Sequence, residues 1–138
     1  MIHRSGCLLD TGPLVALLGK SEACHEKIKV VFSEIEPPFF TCEAVITEAY
    51  YLLSKMDLNA SCGLLQLAER GVYQIKFGLG DHFKEVQSLL LKYHNVPISL
   101  ADACLIRMAE IHEEPRIFTF DSDFEIYRWG RNKKFHLL

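Results

Sequence analysis

Short apolar runs alternate along this chain with longer segments in which apolar residues recur every three or four positions. The short runs predict strands at residues 7–9, 39–40, 72–77, 117–120 and 134–138. The longer segments predict helices at about residues 13–18, 22–35, 42–55, 60–69, 81–93 and 100–112. Because strands separated by helices are typical of βαβ units, we expect an α/β fold with a mostly parallel sheet covered on both faces.

Local signals set several of the predicted helix ends. Pro37-Pro38 stops the second helix. Thr41 stands where it can cap the third helix, and Gly71 suits the end of the fourth.

Length and composition are those of an ordinary globular domain. The chain has 138 residues, of which 49% are hydrophobic, so we assign residues 1–138 to a single domain and exclude disordered or repetitive classes. The formal net charge is −3, so a polyanion would need a local basic patch. Five cysteines without ligand-like spacing indicate reduced thiols, and no apolar stretch is long enough for a membrane span. We therefore expect a cytoplasmic protein with no membrane partner.

Acidic residues stand at the positions where a parallel sheet would place its ligand site, outside the carboxyl ends of the strands. Asp10 directly follows the first predicted strand and Asp121 directly follows the fourth, with Asp123 beyond it. Glu48 and Asp102 are isolated charges within apolar helical segments. An unpaired buried carboxylate is costly, and one divalent cation would satisfy several of them at once. All-oxygen ligation selects Mg²⁺ or Mn²⁺, which indicates phosphoryl transfer or phosphodiester hydrolysis.

Each of these acids also has a local structural interpretation. Asp10 could cap the helix that follows it, and Glu48 could belong to a long-range ion pair. Asp102 matches a capping box that begins at Ser99, and Asp121 suits a turn. The sequence leaves both interpretations open for each residue, although the placement at strand ends favours a site.

Four segments, taken in order, resemble the PIN domain family, and most of all the VapC-type toxin ribonucleases of bacterial toxin–antitoxin pairs. They are Leu8-Leu9-Asp10-Thr11, Thr47-Glu48, Ala101-Asp102-Ala103 and Phe118-Thr119-Phe120-Asp121-Ser122-Asp123-Phe124. The resemblance covers essentially the whole chain. It implies a three-layer α/β/α sandwich around a five-stranded parallel sheet, and Mg²⁺- or Mn²⁺-dependent cleavage of RNA.

The resemblance also implies a role for each matching residue. The catalytic cluster would be Asp10, Glu48, Asp102 and Asp121. The metal ligands would be Asp10, Asp102 and Asp121, with Asp123 as a further acid, while Glu48 acts directly or through water. Thr11 matches the hydroxyl residue that commonly follows the first Asp, and we group it with the substrate-binding residues. Further implications are 5′-phosphate and 3′-hydroxyl products, a homodimer, and an antitoxin whose tail blocks the acidic pocket.

The carboxyl-terminal segment 126–138 contains basic and aromatic residues but no acid. We predict substrate contacts from Arg128, Arg131, Lys133 and Lys134, because such a segment can bind phosphates and stack bases. An ordinary solvated tail is the alternative. Lys55 and Arg70 are further candidates for RNA contact.

Other functions remain as alternatives. One is a PIN-fold binding or scaffold protein without useful turnover, and another is a stand-alone RNA-maturation nuclease without an antitoxin. An aspartyl phosphatase would need a second Asp two residues after Asp10, and Gly12 at that position argues against it.

Four apolar residues of the two middle helices have two interpretations, core or partner surface, of which we favour core. They are Tyr50, Tyr51, Leu64 and Leu65.

Overall fold

Five parallel strands form the central sheet of this computed structural model, which describes residues 3–19 and 22–138, without the side chains of residues 22–24. In chain order the strands are β1 (Leu8–Leu9), β2 (Phe39–Thr41), β3 (Tyr73–Ile75), β4 (Arg116–Phe118), β5 (Arg128–Trp129), β6 (Lys133–Lys134) and β7 (His136–Leu137). The sheet has the order β3-β2-β1-β4-β7 with every pairing parallel, whereas β5 and β6 form a separate antiparallel hairpin. The predicted five-stranded parallel sheet is confirmed.

Helices connect the strands of the sheet. Within the described ranges they are α1 (Thr11–Leu18), α2 (Glu22–Ser33), α3 (Glu43–Met56), α4 (Leu58–Glu69), α5 (Phe83–Lys92) and α6 (Leu100–His112). The first four lead the chain from β1 through β2 to β3, and α5 and α6 return it across the sheet to β4. Right-handed crossovers place these two groups on opposite faces, and the contacts of α1 with α3 and α4, and of α5 with α6, agree. The predicted α/β/α sandwich is confirmed.

Helix α6 is buried along most of its length. Every residue from Ala101 to Ala109 is buried except Arg107. Removing this apolar surface from water stabilises the fold, at about 25 cal/mol per Å². The same packing carries Asp102, in the first turn of α6, to the edge of the core. None of the helices in the described part of the chain is long and apolar enough to cross a membrane.

Two local predictions are wrong. Thr41 is the last residue of β2 and does not cap α3; its buried hydroxyl donates to the Leu9 carbonyl at 2.8 Å, and Cys42 holds the cap position without a side-chain bond. The predicted last strand is divided, because Phe135 turns into the core between β6 and β7. Gly71 follows α4 with a φ of 82°, so the predicted helix-ending role of this glycine is confirmed.

The four apolar residues of α3 and α4 do not share one environment. Leu64 is fully buried, as the core interpretation expects. Tyr50, Tyr51 and Leu65 are exposed, so that interpretation is wrong for them. An amphipathic pattern places these residues on a helix, but it does not tell which of two neighbouring faces packs against the sheet.

The cysteines follow their prediction in part. Cys7, Cys42 and Cys104 are free and buried, as expected for reduced residues that pack as small apolar groups. Cys62 is free and exposed, and the side chain of Cys24 lies outside the described residues.

A buried ion pair holds the start of β4. Arg116 donates through Nη2 to Glu114 Oε1 at 2.6 Å and through Nε to Glu114 Oε2 at 2.9 Å, while the backbone carbonyls of Arg4 and Ser5 accept from the same guanidinium. The hydrogen bonds that Arg116 donates to Glu114 raise the pKa of Arg116, although burial opposes the rise. This network joins the amino-terminal segment to the strand that leads into the site.

We expect Glu114→Ala to lower the free energy of unfolding by about 3–5 kcal/mol, because Arg116 would remain buried without its partner. Arg4→Ala is the matched control, since this largely exposed side chain contacts the same carboxylate at 3.7 Å. The control should cost no more than about 1 kcal/mol. Urea unfolding followed by circular dichroism measures both, and equal losses would contradict the assignment of stability to the buried pair.

Candidate active site

The direction of strand connection reverses between β1 and β4. From β1 the chain proceeds to β2 and β3 on one side, while β4 pairs with β1 on the other. Ligand sites of open parallel sheets form outside the strand ends at such a reversal. Because Leu9 of β1 is in register with Phe118 of β4, the segments that follow both strands lie side by side. Asp10 and Asp121 belong to these segments.

A cavity of about 420 Å³ opens at this point. It is lined by Asp10, Thr11, Gly12, Glu48, Leu52, Pro97, Ser99, Asp102, Phe120, Asp121 and Asp123. The structure therefore brings together all five sequence-predicted acids and Thr11. They come from four places: the β1–α1 junction, α3, the start of α6 and the segment after β4.

Asp10 is held by hydrogen bonds on both carboxylate oxygens. Oδ1 accepts from the Thr11 amide at 2.8 Å, and Oδ2 accepts from the Thr119 hydroxyl at 2.6 Å. Burial raises the pKa of Asp10 to about 6; the two hydrogen bonds oppose this rise, and the charges of Asp102 and Asp121 add to it. The carboxylate is thus fixed in orientation, in surroundings that disfavour its negative charge.

Asp102 is buried at the first turn of α6. Its amide donates to the Ser99 side chain at 3.0 Å, and its Oδ2 accepts from the Tyr127 hydroxyl at 3.0 Å. Burial raises the pKa of Asp102, the hydrogen bond from Tyr127 lowers it, and the charge of Asp121 raises it further. Asp102 therefore shares with Asp10 both an oriented carboxylate and an unfavourable environment for charge.

The remaining acids lie closer to solvent. Asp121 and Asp123 are half-buried, and the Asp123 amide donates to Asp121 Oδ1 at 2.9 Å. Glu48 is exposed on α3, where its Oε2 accepts from the Thr11 hydroxyl at 3.2 Å. The cavity thus has buried acids on its floor and accessible acids at its rim.

The local roles left open by the sequence coexist with the shared cavity. Asp10 caps α1, and Asp121 caps the short 3-10 turn at Ser122–Glu125. Ser99 caps α6 through the Asp102 amide. Glu48 forms no ion pair with any described residue. Capping therefore explains the local backbone structure at Asp10, Asp102 and Asp121. It does not explain why these three acids lie in one cavity.

The donor set of the cavity suits a hard divalent cation. Carboxylate oxygens are the ligands that Mg²⁺ and Mn²⁺ prefer, and a cation would relieve the burial and repulsion that raise the pKa values of Asp10 and Asp102. Among the described residues, no three acidic, histidine or cysteine side chains converge closely enough to enclose an ion by themselves. Mg²⁺ usually binds through one or two carboxylates and completes its shell with water and substrate phosphate. The open arrangement of the acids in this cavity is consistent with that type of coordination.

The predicted substrate-binding cations lie apart from this cavity. They are Arg128, Arg131, Lys133 and Lys134, on or between β5 and β6, and none of them lines it. The hairpin is attached to the far half of α6, where the Gly130 amide donates to Glu110 Oε2 at 2.9 Å. Glu110 follows Asp102 by eight residues, which is about 12 Å along a helix.

Two of these cations also have partners in the hairpin region. The Arg128 guanidinium donates to the carbonyls of Glu125, Ile126 and Tyr127. The Lys133 ammonium lies 4.7 Å from the centroid of the Trp129 ring. Arg128 is therefore occupied in holding the preceding turn.

Sequence reasoning missed three residues of the site. Thr119 and Tyr127 orient Asp10 and Asp102, and Phe120 is an exposed aromatic side chain at the cavity wall. Thr119 is the polar residue of an otherwise apolar predicted strand, which is a usable signal. Tyr127 gives no such signal, because its partner lies 25 residues away and depends on tertiary packing.

The model of the PIN domain family matches residues 7–130. The chain therefore belongs to the PIN domain family, and the resemblance predicted from its sequence is confirmed. The match ends before Arg131, so β6 and β7 lie beyond it. No curated protein matches the sequence significantly.

A solved structure supports the same fold. The chain is similar to the crystal structure of VapC20 from Mycobacterium tuberculosis, described as a toxin that cleaves the Sarcin-Ricin loop. The TM-score is 0.77 at 19% sequence identity, over 89% of this chain and 93% of that one. At this identity the likeness establishes the arrangement of the backbone.

Removing the charge of Asp10 should stabilise the metal-free protein. The pKa of Asp10 is about 6 against a usual 3.8, and one pKa unit corresponds to about 1.4 kcal/mol, so Asp10→Asn should raise the free energy of unfolding by about 1–3 kcal/mol in EDTA at neutral pH. The exposed control Glu125→Gln should change it by less than about 0.5 kcal/mol. Chemical denaturation measures both, and a loss of stability in Asp10→Asn would contradict the prediction.

Proposed function

We propose that this PIN domain protein is a metal-dependent endoribonuclease, the toxin of a toxin–antitoxin pair, which hydrolyses RNA phosphodiester bonds at the acidic cavity. The observation that carries the proposal is the convergence of five acids, from four separate parts of the chain, at the reversal point of the sheet. Membership of the PIN family supports a nuclease, and the similarity to a toxin that cleaves RNA supports the substrate class.

Asp10, Asp102 and Asp121 would hold Mg²⁺ or Mn²⁺, with Asp123 as a further ligand. When bound, such an ion supplies an activated water and neutralises charge on the phosphate oxygens. Glu48, at the accessible rim, would act directly or through water. No protein nucleophile is required.

The protein's own contribution is orientation. Thr119 and the Thr11 amide fix the two oxygens of Asp10, and Tyr127 fixes Asp102. Carboxylates held by such bonds need no rearrangement when a phosphate enters, so the cost of ordering them is met when the chain folds. Thr11 itself is buried, and its hydroxyl donates to Glu48 Oε2, so it would hold this rim carboxylate where substrate would pass.

Because the protein has a net negative charge, RNA binding also needs positively charged side chains outside the acidic cavity. We assign Arg131, Lys133 and Lys134 to phosphates distant from the hydrolysed bond, because they are exposed on the hairpin. Arg128 remains a weaker candidate, since its guanidinium already bonds three carbonyls.

The other expectations stay predictions: a homodimer, an antitoxin whose tail covers the acidic cavity, 5′-phosphate products, a cytoplasmic location and a single domain over residues 1–138. The exposed apolar side chains of α3 and α4 support a protein partner. They include Tyr50, Met56, Leu58 and Leu65.

The proposal predicts metal-dependent cleavage of RNA by the purified protein. A pool of structured RNAs incubated with Mn²⁺ should be cut at discrete sites, and EDTA should abolish cutting. Asp10→Asn should reduce the rate by at least about 100-fold, because electrostatic stabilisation of this kind contributes that much. Gel analysis of the products measures the rate.

Exposed Glu125→Gln is the control for Asp10→Asn and should cut as wild type does. Cleavage that survives both EDTA and Asp10→Asn would contradict the proposed chemistry. Mn²⁺ binding without cleavage of any RNA would favour the binding or scaffold alternative. Cleavage by a protein whose gene has no antitoxin gene beside it would favour the stand-alone nuclease.

Metal binding at the cavity predicts a selective thermal shift. Mn²⁺ should raise the melting temperature of the wild-type protein more than that of Asp102→Asn, because a ligand stabilises a fold only in so far as it binds. Differential scanning fluorimetry with and without Mn²⁺ measures the shift, and Asp81→Asn, outside the cavity, should behave as wild type. Equal shifts in wild type and Asp102→Asn would place the ion elsewhere.

A further inference from the structure

An apolar groove of about 570 Å³ opens beside the acidic cavity. Its walls are one face of α3 and the first turn of α6. Glu48 and Ser99 line both the groove and the acidic cavity, so the two spaces adjoin each other. The volume lies within the range of about 300–1,000 Å³ that is usual for small-ligand sites.

Tyr51 is the aromatic side chain of this groove. It is 58% exposed, and it lies on the same face of α3 as Thr47 and Glu48, four and three residues before it. The Lys55 ammonium, one turn further along, lies 4.1 Å from the centroid of the Tyr51 ring. The accessible aromatic ring of the groove therefore has a cation beside it.

The opposite wall is apolar and partly accessible. Leu100 is 46% exposed, although the residues that follow it in α6 are mostly buried, and Ala101 beside it adds a small, buried side chain. Ala44 closes the α3 side. The space between Tyr51 and Leu100 is thus bounded by an aromatic ring and an aliphatic side chain, which suits a flat apolar ligand.

We propose that this groove binds an unpaired nucleobase of the RNA substrate, adjacent to the hydrolysed bond, with Tyr51 as the stacking surface and Lys55 as the contact to a neighbouring phosphate. The inference rests on the proposed ribonuclease function and adds a recognition site to it. Adjacency to the acidic cavity favours RNA over a protein partner, since a phosphate among the acids would bring a neighbouring base to the next space. Stacking on an aromatic side chain requires a base that is not paired, so the groove selects loops or single strands.

The stacking of a base on Tyr51 can be tested by combining a substitution of Tyr51 with removal of single bases from the RNA. Sites cut in the structured RNA pool define a synthetic RNA that spans one cut, and abasic residues then replace each base near it in turn. Tyr51→Ala should lower kcat/KM for the intact RNA by about 5- to 100-fold, the usual effect of losing one base–aromatic stack. An abasic residue at one position should cost wild type the same factor and cost Tyr51→Ala nothing more.

Two variants separate stacking from loss of structure. Tyr51→Phe should retain wild-type activity, because the ring remains. Tyr50→Ala removes the neighbouring exposed tyrosine, which does not line the groove, and should also retain it.

The outcomes distinguish this inference from the proposed function. Wild-type cleavage with equal rates for Tyr51→Ala and Tyr50→Ala would overturn the inference alone and assign the groove to a protein partner. The inference would also be overturned if every abasic residue lowered kcat/KM by the same factor in Tyr51→Ala as in wild type, because no base would then depend on Tyr51. If the protein binds the RNA without cutting it, the same comparison is made on Kd. If it neither cuts nor binds any RNA, the proposed function fails, and the inference fails with it.

Discussion

The Thr119 hydroxyl is the interaction on which the site depends. It donates to Asp10, which follows β1, and accepts from the Asp121 amide, which follows β4. One side chain therefore connects the ends of the two strands between which the sheet reverses. Because Asp10 is buried and near other acids, its Oδ2 would carry a desolvation penalty without such a donor. The buried pair of Glu114 and Arg116 supports the same strand from its other end.

The stability of the fold and the chemistry of the cavity oppose each other at Asp10 and Asp102. Burial would provide a water-poor environment for the proposed metal and phosphate, yet the same burial penalises both carboxylates in the metal-free protein. The hydrogen bonds from Thr119 and Tyr127 reduce this penalty without removing it. The proposed function thus lies where two buried carboxylates destabilise the metal-free fold.

Sequence alone predicted the sheet, its helices and the acids, because those features leave local signals. Asp10 is an acid directly after an apolar run, and Asp102 is an isolated charge in an apolar helix. Thr119 is visible as a polar residue in an apolar predicted strand, but its partner Asp10 lies 109 residues away, and no local pattern identifies that partner. The same limit applies to the positions of the hairpin cations and of the exposed Tyr51. The sequence shows their residue types, but their position relative to the cavity depends on how the helices and strands pack.

The strands of the sheet are only two or three residues long, and this has a consequence for assembly. The two edges, β3 with three residues and β7 with two, offer few free peptide groups to another chain. Short edges discourage the strand-to-strand pairing that leads to aggregation or sheet extension. Association with another polypeptide would therefore depend on surface side chains more than on free backbone groups of the sheet. Substitution of surface residues can then change which polypeptide binds, without altering the sheet or the acidic residues at its edge.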